Sequence, residues 1–129
     1  MTLIDSSGWV EFFTGGPLAS AYASHLKELK SVVTPTIVLY EVYKIIKRQR
    51  SEEEALAAAA QMGKTHLVPL TDAIALTAAD VSLAHGIAMV DAIVYATAVT
   101  EKAKVLTSDE DLSDLPGVTY LKKPKQAAQ

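Results

Sequence analysis

The amino-acid sequence predicts an α/β fold: a three-layer α/β/α domain around a central, mainly parallel sheet of about five short strands. Two observations carry this expectation. Short apolar runs, "TLI", "VV", "THLVPL", "KVLT" and "VTYL", alternate along the chain with stretches of helical periodicity, the pattern of strands joined by helical crossovers. The helical stretches are also punctuated, by Gly15-Gly16, Gly63 and Gly86 as stops and by Ser51 with Glu54 as a start. At 129 residues, half of them apolar, the chain is long enough for one proper core.

Leu3 and Ile4 form the first strand and Asp5 ends it. A helix follows to about Phe13, closed by Gly15-Gly16. Pro17 suits the first turn of a second helix, along which Leu18, Tyr22, Leu26 and Leu29 recur at helical spacing. Val32 and Val33 make a strand ending at Thr34-Pro35, and "TIVLYEVYKIIKRQR" is a long helix from about Thr36 to Arg50. Ser51 and Glu54 form a capping box for an Ala-rich helix that stops at Gly63 in the C′ position. After the strand "THLVPL", Thr71 or Asp72 caps "DAIALTAADVSLAHG", which Gly86 ends. A further helix covers about Asp91 to Lys102, "KVLT" is a strand, "SDEDLSDL" a helical turn and "VTYL" the last strand. Residues 1–121 form one domain, and 122–129 a polar tail.

Composition narrows the chemistry. The chain has no cysteine, which excludes a disulfide scaffold, a thiol nucleophile and a thiolate metal site and fits a reducing cytoplasm. No signal peptide is expected, because the first apolar run is broken by Asp5 and lacks a basic leader. The most apolar region, Ile87 to Val99, contains Asp91 and falls short of the roughly 20 residues of a membrane span, so no membrane role is expected. With a net charge of −3, nucleic acid would have to be held by a local basic patch or a metal rather than by bulk charge.

Four acids occupy unusual places. Asp5 ends one strand, and Asp109 follows "KVLT" by two residues. Glu41 lies in the middle of the long helix with Ile37, Val38 and Ile45 as its neighbours three and four residues away. Asp91 is flanked by Met89, Val90, Ile93 and Val94. Taken singly, Asp5, Asp91 and Asp109 read as helix caps and Glu41 as a solvated helix residue. Taken together, two acids at strand tips and two at the apolar edges of helices point to a shared site. Gathering carboxylates costs repulsion and desolvation, and a hard cation with oxygen ligands, Mg²⁺ or Mn²⁺, offsets that cost. An internal echo, Asp72-Ala73-Ile74 against Asp91-Ala92-Ile93, leaves local pattern unable to choose between Asp72 and Asp91. The helix from Asp91 leads into "KVLT", however, so the chain runs out and back towards Asp109.

These segments, "LIDSSGWVEFFTGGP", the mid-helix Glu41, "VDAIVYATA" and "VLTSDEDL", resemble the PIN-domain nucleases, and among them the VapC-type toxins of prokaryotic toxin–antitoxin pairs. The resemblance runs from Thr2 to about Tyr120. It implies a parallel sheet with an acidic pocket at the strands' C-terminal ends and a divalent-metal endoribonuclease activity. It matches Asp5, Glu41, Asp91 and Asp109 to the family's four acidic positions, with Asp5, Asp91 and Asp109 holding the metal. Ser6 and Thr107 match the small hydroxyl positions beside the first and last acids. A cognate antitoxin and a homodimer are implied as well. The family often carries an aromatic residue after the second acid of the last motif. Here Leu112 follows Asp111, which leaves Asp111 as a rival or accessory to Asp109.

Other residues carry less. His25, His66 and His85 lack ligand spacing, and Ser6 and Ser7 have no patterned His partner for a serine hydrolase. No glycine loop of the phosphate-cradling kind is present. Lys44, Lys47, Arg48 and Arg50 either complement the helix dipole or meet RNA phosphates. Trp9 and Tyr43 either pack in the core or stack on bases. Two rival functions stand beside the nuclease. In an aspartate phosphatase or phosphoacceptor Asp5 would attack phosphorus, but such folds place a second Asp close behind the first, where this chain has Ser6-Ser7-Gly8. A non-catalytic module of the same fold would have no need of four intact acids.

Overall fold

A computed structural model describes residues 1–124. The strands are β1 (Thr2–Ile4), β2 (Val32–Pro35), β3 (His66–Val68), β4 (Lys104–Thr107) and β5 (Val118–Tyr120). The helices are α1 (Ser6–Thr14), α2 (Ala19–Ala23), α3 (Thr36–Gln49), α4 (Glu52–Met62), α5 (Asp72–His85) and α6 (Met89–Glu101). The sheet order is β3-β2-β1-β4-β5 and every pairing is parallel. The expected α/β/α architecture is the observed one.

Central β1 is the reason the sheet holds together. Leu3 and Ile4 are fully buried, as are Val32, Val33, Val105 and Leu106 to within a few per cent, because a parallel sheet covered on both faces needs apolar residues on both. Trp9, Tyr22, Val38, Val42 and Met62 extend this core into the helices. Trp9 stacks on Phe13 at 5.5 Å between ring centroids. It is a core residue with no face left for a base. Tyr43, partly buried, also packs against the core.

Most helix ends follow their sequence signals. Asp5 caps α1, and Gly15 closes it in the left-handed region at φ 68°, where a Cβ is strained. Ser51 caps α4 by accepting the Glu54 amide at 3.0 Å. Thr71, rather than Asp72, caps α5 by accepting the Ile74 amide at 3.2 Å. Two expectations change. Gly63 lies at φ −64°, so it ends α4 without needing glycine's freedom. The second helix is only Ala19–Ala23 and does not run on to Leu29. The Ser24 hydroxyl donates to the Ala21 carbonyl at 2.7 Å, and the His25 and Leu26 amides bond three residues back. Those tighter turns break the helix before Leu26 while still burying it.

The start of α6 lies two residues earlier than expected, at Met89, which puts Asp91 in its first turn. There a carboxylate is favoured by the helix dipole. Of the expected tail, residues 125–129 lie outside the described residues, whereas Lys123 reaches the buried Glu11 carboxylate at 3.5 Å. No single described helix is long and apolar enough to cross a membrane.

Candidate active site

Strand order decides where a ligand can sit. From β1 the chain moves outward through β2 and β3, then returns to place β4 on the other side of β1. The direction of winding reverses between β1 and β4, and in open α/β sheets the crevice beyond the carboxyl ends at that switch is the binding position. Register pairs Ile4 with Leu106, so the next residues, Asp5 just beyond β1 and Thr107 at the end of β4, lie side by side there.

Asp5 is only 4% exposed, and both its oxygens are held. Oδ1 accepts from the Ser7 hydroxyl at 2.6 Å and the Gly8 amide at 3.3 Å; Oδ2 accepts from the Thr107 hydroxyl at 2.5 Å. Burial pushes its carboxyl above the ordinary range, and the Ser7 and Thr107 hydroxyls and the Gly8 amide oppose that rise. Thr107 Oγ1 in turn accepts the Asp109 amide at 2.9 Å, and Ser7 Oγ accepts the Ser108 amide at 3.1 Å. The β1–α1 junction and the C-terminal end of β4 are thereby joined twice. Asp5 is both a cap and a site-facing acid, so the two readings of it coexist.

A cleft of about 310 Å³ opens over this junction, lined by Asp5, Ser6, Glu41, Asp91, Asp109 and apolar residues that include Met89 and Val94. It brings all four acids singled out in the sequence to one place. Asp91, Asp109 and Asp111 come closest: one carboxylate oxygen from each lies within 4.8 Å of the others. Asp5 stands behind this triad rather than in it. Burial pushes the Asp91 carboxyl up to about 7, helped by the Asp109 carboxylate beside it and further by Asp111 and Asp5. Asp109 also accepts the Asp111 amide at 2.9 Å, so it caps its short turn and lines the cleft at once. The triad's donor atoms are all carboxylate oxygens, and they repel one another when ionised. That donor set fits a hard divalent cation of the Mg²⁺ or Mn²⁺ type.

The hydroxyls divide differently from the sequence reading. Ser6 lines the cleft, while the neighbouring Ser7 makes the bonds to Asp5 and to the β4 loop. Successive helix residues turn by about a third of a circle, which sends the two serines to different neighbours. Ser7, Ser108 and Tyr22, whose hydroxyl meets Ser108 Oγ at 2.6 Å, carry no sequence signal of their own; only the pairing of β1 with β4 reveals them. His25, His66 and His85 are exposed and away from the cleft. Lys47 pairs with Glu52 at 3.2 Å and Arg50 donates to the Thr14 carbonyl.

Against known families, residues 2–118 match the model of the PIN domain. The chain belongs to the PIN domain family. No curated protein matches this PIN domain by sequence. Among solved structures, a toxin–antitoxin complex from Klebsiella pneumoniae contains a similar chain, with a TM-score of 0.82 and 20% identity over 96% of this chain and 100% of that one. VapC20 of Mycobacterium tuberculosis, a sarcin–ricin-loop-cleaving toxin, gives a TM-score of 0.73 at 21% identity, covering 88% and 93% of the two chains. DNA-bound VapBC from Salmonella typhimurium gives 0.75 at 12% identity, covering 94% and 96%. At such identities these likenesses establish the fold.

Proposed function

We propose that this PIN domain, residues 1–121, is a Mg²⁺- or Mn²⁺-dependent endoribonuclease acting in the cytoplasm as the toxin of a toxin–antitoxin pair. The observation that carries the reading is the acidic cleft: three carboxylates with ligand oxygens within 4.8 Å of one another, backed by a fourth, Asp5, that is buried and fully hydrogen-bonded.

Asp91 and Asp109 would hold the cation, with Asp111 completing the set on the solvent side and Asp5 contributing charge from beneath. Bound there, a divalent cation would activate a water and take up charge developing on the phosphorus oxygens. Glu41, which also lines the cleft, would accept a proton from the attacking water. Ser6 lines the cleft as well and would offer a hydroxyl to a phosphate oxygen. Thr107 and Ser7 donate to the Asp5 carboxylate and so favour its charged form against the burial that opposes it. The phosphoacceptor alternative is weaker, because an Asp5 whose oxygens already accept hydrogen bonds and are nearly out of solvent is poorly presented for attack on phosphorus. The intact acids argue against a non-catalytic module.

Partners follow from the neighbours. The Klebsiella structure is a toxin–antitoxin complex and the Salmonella one a VapBC complex, which supports a cognate antitoxin here. A homodimer is proposed on the family likeness. The deciding experiment incubates purified protein with a panel of defined RNAs in Mg²⁺, Mn²⁺ or EDTA. Cleavage that EDTA abolishes is expected, and a protein inert in both metals would refute the nuclease reading. Light scattering at micromolar concentration should show a dimer; monomer alone would remove that part.

A further inference from the structure

Tyr22 stands outside the cleft, yet it touches both the first turn of α1 and the loop after β4. The side chain is fully buried, on the short helix α2. Its ring lies against Gly8, where a Cβ would fall 2.4 Å from Tyr22 Cε1 and 2.7 Å from Ile4 Cγ2. Glycine inside a helix is less stable than alanine. Its presence in the first turn of α1 is explained by the tyrosine that needs the space. Gly8 also supplies the amide that caps onto Asp5.

At its other end Tyr22 meets the β4 loop. Its hydroxyl lies 2.6 Å from Ser108 Oγ, and Ser108 is the residue between Thr107, which donates to Asp5, and Asp109, which lines the cleft. The Ser108 amide donates to Ser7 Oγ, whose own proton goes to Asp5. The amide of Ser108 is therefore tied to α1 and its hydroxyl to α2. Without the Tyr22 hydroxyl, Ser108 would keep one tie in place of two.

We propose that Tyr22 is a positioning residue for the acidic site, its hydroxyl holding Ser108 so that Asp109 and Asp111 are presented to Asp91. This inference rests on the nuclease reading and adds to it a residue that touches neither metal nor RNA. Burial pushes the Tyr22 phenol up to about 12, opposed by the Ser108 hydroxyl. Over the working pH range it is a neutral hydroxyl, able to hold a bond and unsuited to be a base.

Tyr22→Phe tests the proposal, because it removes one oxygen and leaves the ring against Gly8. Outer-shell partners of metal-holding carboxylates typically matter by 10–100-fold. The Mn²⁺ concentration giving half of the metal-induced rise in melting temperature should therefore increase by about tenfold. The kcat for RNA cleavage should fall by a similar factor, with KM for RNA unchanged. A merely structural role would lower the melting temperature without moving the Mn²⁺ midpoint. Ser108→Ala should reproduce the effect, and the double variant should be no worse than either single one, since the two hydroxyls act as one bond. An active wild type from which both single variants are indistinguishable in Mn²⁺ midpoint and kcat would overturn the inference, as would effects that multiply in the double variant. A wild type inert toward RNA would overturn the nuclease reading instead, and the thermal arm, which needs no RNA, would still test the tie.

Discussion

Thr107 and Asp5 are 102 residues apart in sequence, and the Thr107 hydroxyl donates to Asp5 Oδ2 at 2.5 Å. The same oxygen of Thr107 accepts the Asp109 amide at 2.9 Å. One hydroxyl thus connects the first acid of the chain to the last motif, with Asp5 as the acceptor and Asp109 as the donor. Parallel pairing of β1 with β4 makes the contact possible.

Removing that hydroxyl should be felt. In Thr107→Val the shape is nearly kept, but a buried carboxylate loses a donor and an amide loses its acceptor. A loss of about 1–3 kcal/mol is expected, read by urea denaturation of the metal-free protein. Thr107→Ser should restore most of it. Equal stability of the valine and serine variants would show that the hydroxyl contributes nothing.

Stability of the metal-free protein should fall as pH rises from about 4 to about 7. Asp91 is held at about 7 in the folded protein, against an ordinary value of 3.8. Between those values the folded state binds more protons than the unfolded one, so the slope of stability against pH is negative. The raised Asp5 carboxyl acts in the same direction. Divalent metal bound only to the folded state should reverse the loss, contributing about 2.7 kcal/mol at a hundred times its Kd. The gain should be larger at pH 7 than at pH 5. Melting curves across pH, with and without Mn²⁺, check both signs; a melting temperature indifferent to millimolar metal at pH 7 would count against the site.

Asp5→Asn should abolish cleavage while the fold survives. The amide has the carboxylate's shape and keeps one oxygen to accept from the surrounding donors, and rotatable Ser7 and Thr107 hydroxyls can accept from its NH₂. What disappears is the charge beneath the triad. Circular dichroism should match the wild type, and a variant that cuts RNA at the wild-type rate would sink the proposed role.

Asp72 and Asp91 share the same local sequence and should differ completely when changed. Asp72 is exposed, bonds the adjacent Ala73 amide at 3.0 Å, and leaves the capping of α5 to Thr71. Asp72→Asn should cost at most about 1 kcal/mol through the helix dipole. Asp91→Asn should eliminate both cleavage and the metal-induced rise in melting temperature. It should also flatten the pH dependence of the metal-free protein. Exchanged phenotypes would overturn the assignment.

Much of the fold was legible because its signals are local. The strands are short apolar runs, and Asp5, Ser51 and Thr71 mark helix starts by chemistry that needs only the next three residues. The second helix is shorter than its apolar spacing predicts, because Leu26 and Leu29 keep a helical spacing while the backbone turns more tightly after Ser24. Apolar spacing reports which side chains are buried, and several backbone paths can bury the same set.

By itself the sequence determined that four acids stand at strand tips and helix edges of an α/β chain, and that Asp5 and Asp109 follow strands. Only the tertiary structure decided that β1 and β4 are neighbours, and with that which acids meet. It put Asp91, Asp109 and Asp111 together with Asp5 behind them. It also chose Ser7 over Ser6 as the partner of Asp5 and drew Tyr22 and Ser108 into the same network. The physical reason is range. Caps and turns are settled by bonds within a few residues, whereas the order of parallel strands depends on burying both faces of the whole sheet, a sum over contacts that no short segment contains.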